Sequence, residues 1–209
     1  MSTKYIVNNV SGQTINGDLT INGDVVITGT TNTRPYKVYT ALLTQSGGDN
    51  QQANDNETQY PFVIGVSYYI EENTNQNTNN SADFTNIGAL NNDGGTHFIA
   101  TGTTPNSWGN GGYVNLTYNL GAPVVTVLEN TIGNIWFTYE SIGVYNIMSN
   151  ASFTDNKTYC SATLSNYNYD STNVMLGYFN SDIVQMTTLL PTDSRYNGSD
   201  TSIEIRVYN

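Results

Sequence analysis

The chain has 209 residues, enough for one ordinary domain and a small appendage, and carries a net charge of −11 with only six basic side chains. Those six (Lys4, Arg34, Lys37, Lys157, Arg195 and Arg206) are scattered, so no basic patch can neutralise nucleic-acid phosphates or an anionic membrane surface. The longest apolar stretches, such as 62–66, fall far short of a bilayer span, which excludes membrane insertion by helix. Charged residues are 11% of the chain, and polarity comes instead from about 60 Asn and Thr together with 16 Tyr. Asn and Gly favour turns, Thr and Tyr favour strands, and the helix-surface formers are scarce. This composition predicts an all-β protein.

Residues 1–10 read as a short strand or attachment segment. They lack the apolar core of a signal peptide, so synthesis in a cytoplasm is expected. A six-residue repeat follows. Ile15, Ile21 and Ile27 stay in register, as do Gly17, Gly23 and Gly29, within two Ile-Asn-Gly-Asp hexads and a looser third. A period of six is a β-solenoid signature, and each repeat buries its apolar face only against neighbours. Three hexads are too few to close a core alone. The same segment of sister chains around a rotation axis is the expected cover. Residues 1–33 are therefore predicted to be a β-stalk, with Ile15, Ile21 and Ile27 in the contact between sister chains, and 34–209 a separate head.

From Tyr36 onward, strands alternate with polar loops. The patterning predicts strands at 36–43, 62–70, 97–101, 113–119, 123–128, 135–139, 144–148, 157–163, 174–178, 183–188 and 202–208. The segment 71–81 reads as a long exposed loop. Residues 122–148 read as a three-strand antiparallel meander with Val125, Val127 and Phe137 in the core and Trp136 on either face. Many short strands with turns between them indicate a sandwich or barrel rather than βαβ units. The expected fold is all-β: a short N-terminal β-stalk followed by an antiparallel β-sandwich head.

Catalytic motifs are sparse. His97 is the single histidine, so one chain offers no two-His metal site, and no G-x-S-x-G elbow, P-loop or G-x-G-x-x-G accompanies it. Candidates for a glycosidase carboxylate pair are Glu129, Glu140, Asp155, Asp170 and Asp182, and acids beside turns are ordinary turn chemistry. Asp49, Asp55 and Glu57 share an oxygen-rich loop that could hold a structural calcium ion, without EF-hand spacing; no other cofactor is expected. The lone Cys160 reads as a small buried apolar residue. Trp108, set among glycines, is expected either to cap a core edge or to meet a partner. With Tyr167 and Tyr169, it forms the candidate glycan contact.

The run Pro35-Tyr36-Lys37-Val38-Tyr39-Thr40-Ala41-Leu42-Leu43, with Val125-Thr126-Val127-Leu128-Glu129-Asn130 downstream and the hexads ahead, resembles trimeric bacteriophage or viral fibre and capsid-decorating proteins. That resemblance implies a jelly-roll-like head and a non-enzymatic virion structural protein: a homotrimer joined through the stalk at Ile15, Ile21 and Ile27, on the virion surface, made in the host cytoplasm, with capsid or tail proteins and host surface glycans as the expected partners. The alternatives are a glycan-binding adhesin or receptor-recognition tip, a polysaccharide depolymerase, and a shell-forming capsid jelly roll, which would have no evident need of a stalk.

Overall fold

A computed structural model describes residues 34–44, 59–74, 82–109, 113–118, 121–164, 173–189 and 200–209. All lie in the unit Arg34–Asn209. The hexad segment with Ile15, Ile21 and Ile27 lies outside the described residues. So do the loop of Asp49, Asp55 and Glu57, and residues Tyr167, Tyr169 and Asp170.

The described chain is all-β and antiparallel. Its strands are β1 (Tyr36–Thr44), β2 (Ser67–Thr74), β3 (His97–Ile99), β4 (Tyr113–Tyr118), β5 (Val124–Asn130), β6 (Ile135–Ser141), β7 (Val144–Ser149), β8 (Thr158–Leu164), β9 (Asn173–Tyr178), β10 (Ile183–Leu189) and β11 (Thr201–Tyr208). Among the described residues the one helical piece is a 3-10 turn, Thr85–Ile87. Two four-stranded sheets, ordered β5-β1-β11-β8 and β6-β7-β10-β9, form a sandwich. A three-stranded sheet, β3-β2-β4, is inserted between β1 and β5.

The sandwich follows from period-two patterning. In β11 and β10, buried and half-buried residues alternate along the strand. The inward set of Tyr39, Ala41, Leu43, Phe137, Tyr145, Ile147, Val184, Met186, Ile203 and Ile205 forms one continuous core. Each large apolar side chain buried there contributes about 1.5–3 kcal/mol relative to exposure. Strands β8 and β9 lie at the edges of opposite sheets and pack on each other, closing one side with Cys160, Ala162, Val174 and Leu176 against the core. The insertion has its own aromatic core of Phe62, Tyr68, Phe84, Phe98, Ile70 and Ile87.

Four local expectations are corrected. The segment 122–148 is not one meander: β5 pairs with β1, whereas β6 pairs with β7 in the opposing sheet. The chain crosses between sheets at 131–134. Thr131 pins that crossing, accepting a hydrogen bond from the Val38 N–H at 2.7 Å through its hydroxyl and donating its own N–H to the Val38 carbonyl at 2.8 Å. Val127 is 42% exposed, while its neighbour Val125 is 4% exposed and in the core. Val127 lies next to a break in the β1–β5 register between Thr40 and Ala41, where Leu128 is the extra residue. The strand expected from Phe62 starts only at Ser67, because Gly65 turns the chain at φ +86°. At its other end β2 runs on to Thr74, pairing with β4 through a stretch expected to be loop; ladder hydrogen bonds need backbone rather than apolar side chains.

A candidate binding seam between insertion and sandwich

The insertion is fastened to β6 and β5 by backbone groups. Gly65 donates to the Ala100 carbonyl and accepts from the Val125 N–H, both at 2.8 Å. The Phe137 N–H donates to the Ser67 hydroxyl at 3.1 Å, a fully buried bond. The Asn134 side-chain amide donates to the His97 carbonyl at 3.1 Å.

These ties set a stack of three rings. Tyr69 and His97 are register partners on β2 and β3, with ring centroids 4.4 Å apart. The far face of His97 lies on Trp136 of β6, 4.6 Å away and 7° from parallel. This resolves the two-faced reading of Trp136. It points away from Phe137 and the sandwich core, and the insertion covers it, leaving it 6% exposed. Burial lowers the basicity of His97.

Two adjoining clefts run along the seam and share Leu90 and Asn134. One, of about 320 Å³, is lined by Asn91, Asp93, Trp136 and Asn150 besides the shared pair, with His97 beneath. The other, of about 440 Å³, is mostly apolar, lined by Tyr39, Ile99, Val127 and Ile135. The misplaced Val127 thus walls a cleft instead of closing the core. Leu90 stands 72% exposed between the two.

The loop that carries Leu90 and Asn91 is held by a single carboxylate. Asp83 accepts hydrogen bonds from the Thr85 hydroxyl at 2.6 Å, the Thr85 N–H at 3.0 Å, and the amides of Asn106 and Asn92 at 3.0 and 3.3 Å. Those donors, led by Thr85, hold its carboxyl well below the usual carboxylate range. Asn92 in turn accepts from the Phe84 N–H at 2.8 Å, and Asn91 accepts from the Thr96 hydroxyl and the Asp93 N–H.

Trp108 lies away from these clefts. It is half-buried on the insertion core, stacked on Phe62 at 5.3 Å and edge-on to Phe84 at 6.1 Å, so it caps a core edge. The described carboxylate candidates each have a hydrogen-bond or ion-pair partner of their own. Glu129 pairs with Arg34 at 2.7 Å, Glu140 accepts from Asn146 and Gln185, Asp155 accepts from Asn156, and Asp182 accepts from the Ala151 N–H. Cys160 is half-buried against the sandwich core, and burial pushes its thiol up to about 11. Sequence reasoning passed over Leu90, Asn91, Asp93 and Asn134. They sit in Asn/Gly-rich stretches that read as turns, and only the docking of the insertion brings them together. No family model, curated protein or solved structure matches this chain.

Proposed function

We propose that the protein is a non-enzymatic virion structural protein, a homotrimer whose N-terminal hexads assemble the subunits and whose β-sandwich head projects from the particle to contact the host or stabilise the shell. The observation that carries this reading is the anchoring of the head at its first residues. Arg34 pairs with Glu129, the Asn209 N–H donates to the Pro35 carbonyl at 3.2 Å, and Tyr36 packs on Tyr208 at 5.2 Å. The next residues form β1, which lies between β5 and β11 rather than at an edge. A pull transmitted from residues 1–33 would load two hydrogen-bonded ladders along their length, so many bonds would have to yield together. A durable projecting head needs such an attachment. The small share of charged residues and the Asn-, Thr- and Tyr-rich composition also suit an exposed extracellular particle protein.

The test is the solution mass of the full-length chain by light scattering on a sizing column. Three chains of 22.9 kDa give about 69 kDa. Removing residues 1–33 should yield a monomeric head. A full-length monomer would overturn the trimer.

A further inference from the structure

We propose that the seam between the inserted sheet and the sandwich is a binding site for a neutral oligosaccharide, spanning the two clefts that meet at Leu90 and Asn134. The proposal deepens the host-contacting role proposed above by naming a site and a ligand class.

The chemistry of the lining selects the ligand. The smaller cleft presents the amides of Asn91, Asn134 and Asn150 and the Asp93 carboxylate; the larger presents aliphatic and aromatic walls. A pyranose has both matching surfaces, hydroxyl edges that donate and accept and C–H faces that pack on apolar groups. The clefts of about 320 and 440 Å³ fall in the size range of small-molecule sites. No Lys or Arg lines either cleft, Asp93 lines one, and the chain carries −11 overall, so an anionic ligand would be repelled.

A second observation points to the same place. Among the described residues, the buried side-chain polar atoms without a hydrogen-bond partner are the Tyr39 hydroxyl and His97 Nδ1. Buried polar atoms are nearly always paired. Both exceptions belong to residues that line these clefts, Tyr39 the apolar one and His97 the polar one. A hydroxyl-rich ligand is the kind that can satisfy both, because neutral imidazole and phenol each pair with an alcohol in either sense. The site is also held in advance of binding: Asp83 ties down the loop of Leu90 and Asn91, and the Tyr69–His97–Trp136 stack backs the polar cleft. Fixing the site before the ligand arrives lowers the ordering cost of association.

The experiment uses the full-length protein on a printed array of neutral hexose and N-acetylhexosamine oligosaccharides, with sialylated and sulfated glycans as the anionic arm. Calorimetry on the best neutral hit follows, for the wild type and for Leu90→Asp, Asp93→Ala and Tyr39→Phe. Retention of neutral glycans is expected, with at least a tenfold loss of affinity in Leu90→Asp and Asp93→Ala, two surface changes that leave the melting temperature in place. Tyr39→Phe should bind about two- to tenfold more weakly while melting no lower than wild type, the pattern of a hydroxyl paired only in the complex. Retention of anionic glycans alone, or no retention at all, would overturn the proposal. So would full affinity in both Leu90→Asp and Asp93→Ala, with binding lost instead in Tyr167→Ala or Tyr169→Ala. The mass measurement separates this outcome from the assembly reading: a monomer that binds through the seam leaves the site standing, and a trimer that binds nothing removes the site alone.

Discussion

At Gly65 the insertion meets the sandwich backbone to backbone, and Gly65→Ala tests that junction. The residue sits at φ +86°, where an L side chain is strained by about 1–2 kcal/mol. An added Cβ would also lie 2.5 Å from the Val125 carbonyl oxygen, 2.9 Å from Val124 Cγ1 and 3.0 Å from the Val125 nitrogen. The first and last are backbone atoms, so relief must come from moving β5 away. That movement breaks the 2.8 Å bond from the Val125 N–H to the Gly65 carbonyl, worth about 1 kcal/mol. The sum is about 3 kcal/mol, a fall of roughly 6–12 °C in melting temperature for a domain of this size. Two other glycines separate the terms. Gly95 has φ +93° with nothing within 4 Å of an added Cβ, so Gly95→Ala should cost only the strain. Gly177 has open space and no positive φ, so Gly177→Ala should be neutral or about 0.5 kcal/mol stabilising. Urea denaturation of the three variants beside wild type gives the comparison. If Gly65→Ala lost no more stability than Gly95→Ala, within about 0.5 kcal/mol, the close approach would have no energetic weight and the reasoning would fail.

Three further outcomes follow from particular side chains. The Asp83 carboxyl is held below its ordinary value near 3.8, so its contribution to stability is present above that pH and drains away as the pH falls below it. Wild type should therefore lose stability more steeply than Asp83→Asn between pH 5 and pH 2, and parallel denaturation curves would contradict the hub assigned to Asp83. Trp108→Ala removes a half-buried ring stacked on Phe62 and should cost about 2 kcal/mol, whereas Trp108→Phe should be tolerated; an unchanged midpoint in the alanine variant would refute its place on the core. With its thiol raised to about 11, Cys160 is ionised in about one molecule in a thousand at pH 8. Iodoacetamide should then react on the order of a hundredfold more slowly than with free cysteine and reach the free rate in urea; rapid labelling of the native protein would disprove its burial.

Period-two alternation, turn residues and a composition poor in helix formers were enough to read the fold class and to place a strand near each of the eleven described. Those signals are local, so they survive without knowledge of any partner strand. Val184 and Met186 in β10, or Ile203, Ile205 and Val207 in β11, announce a buried face by spacing alone. Pairing between strands is a different matter. That β5 leaves β6 to join β1, that Leu128 is bulged and Val127 beside it walls a cleft, and that Gly65 brings the insertion against Val125 all depend on contacts distant in sequence. The same holds for the candidate site. Trp136 looks like any strand tryptophan until His97, 39 positions earlier, is laid flat on it, and Asn91 and Asp93 look like turn formers until the insertion docks beside Asn134 and Asn150. Local sequence selects strand or turn because backbone sterics and side-chain period act over a few residues. Only the packed tertiary structure decides which faces meet, and so which polar groups are left buried without partners.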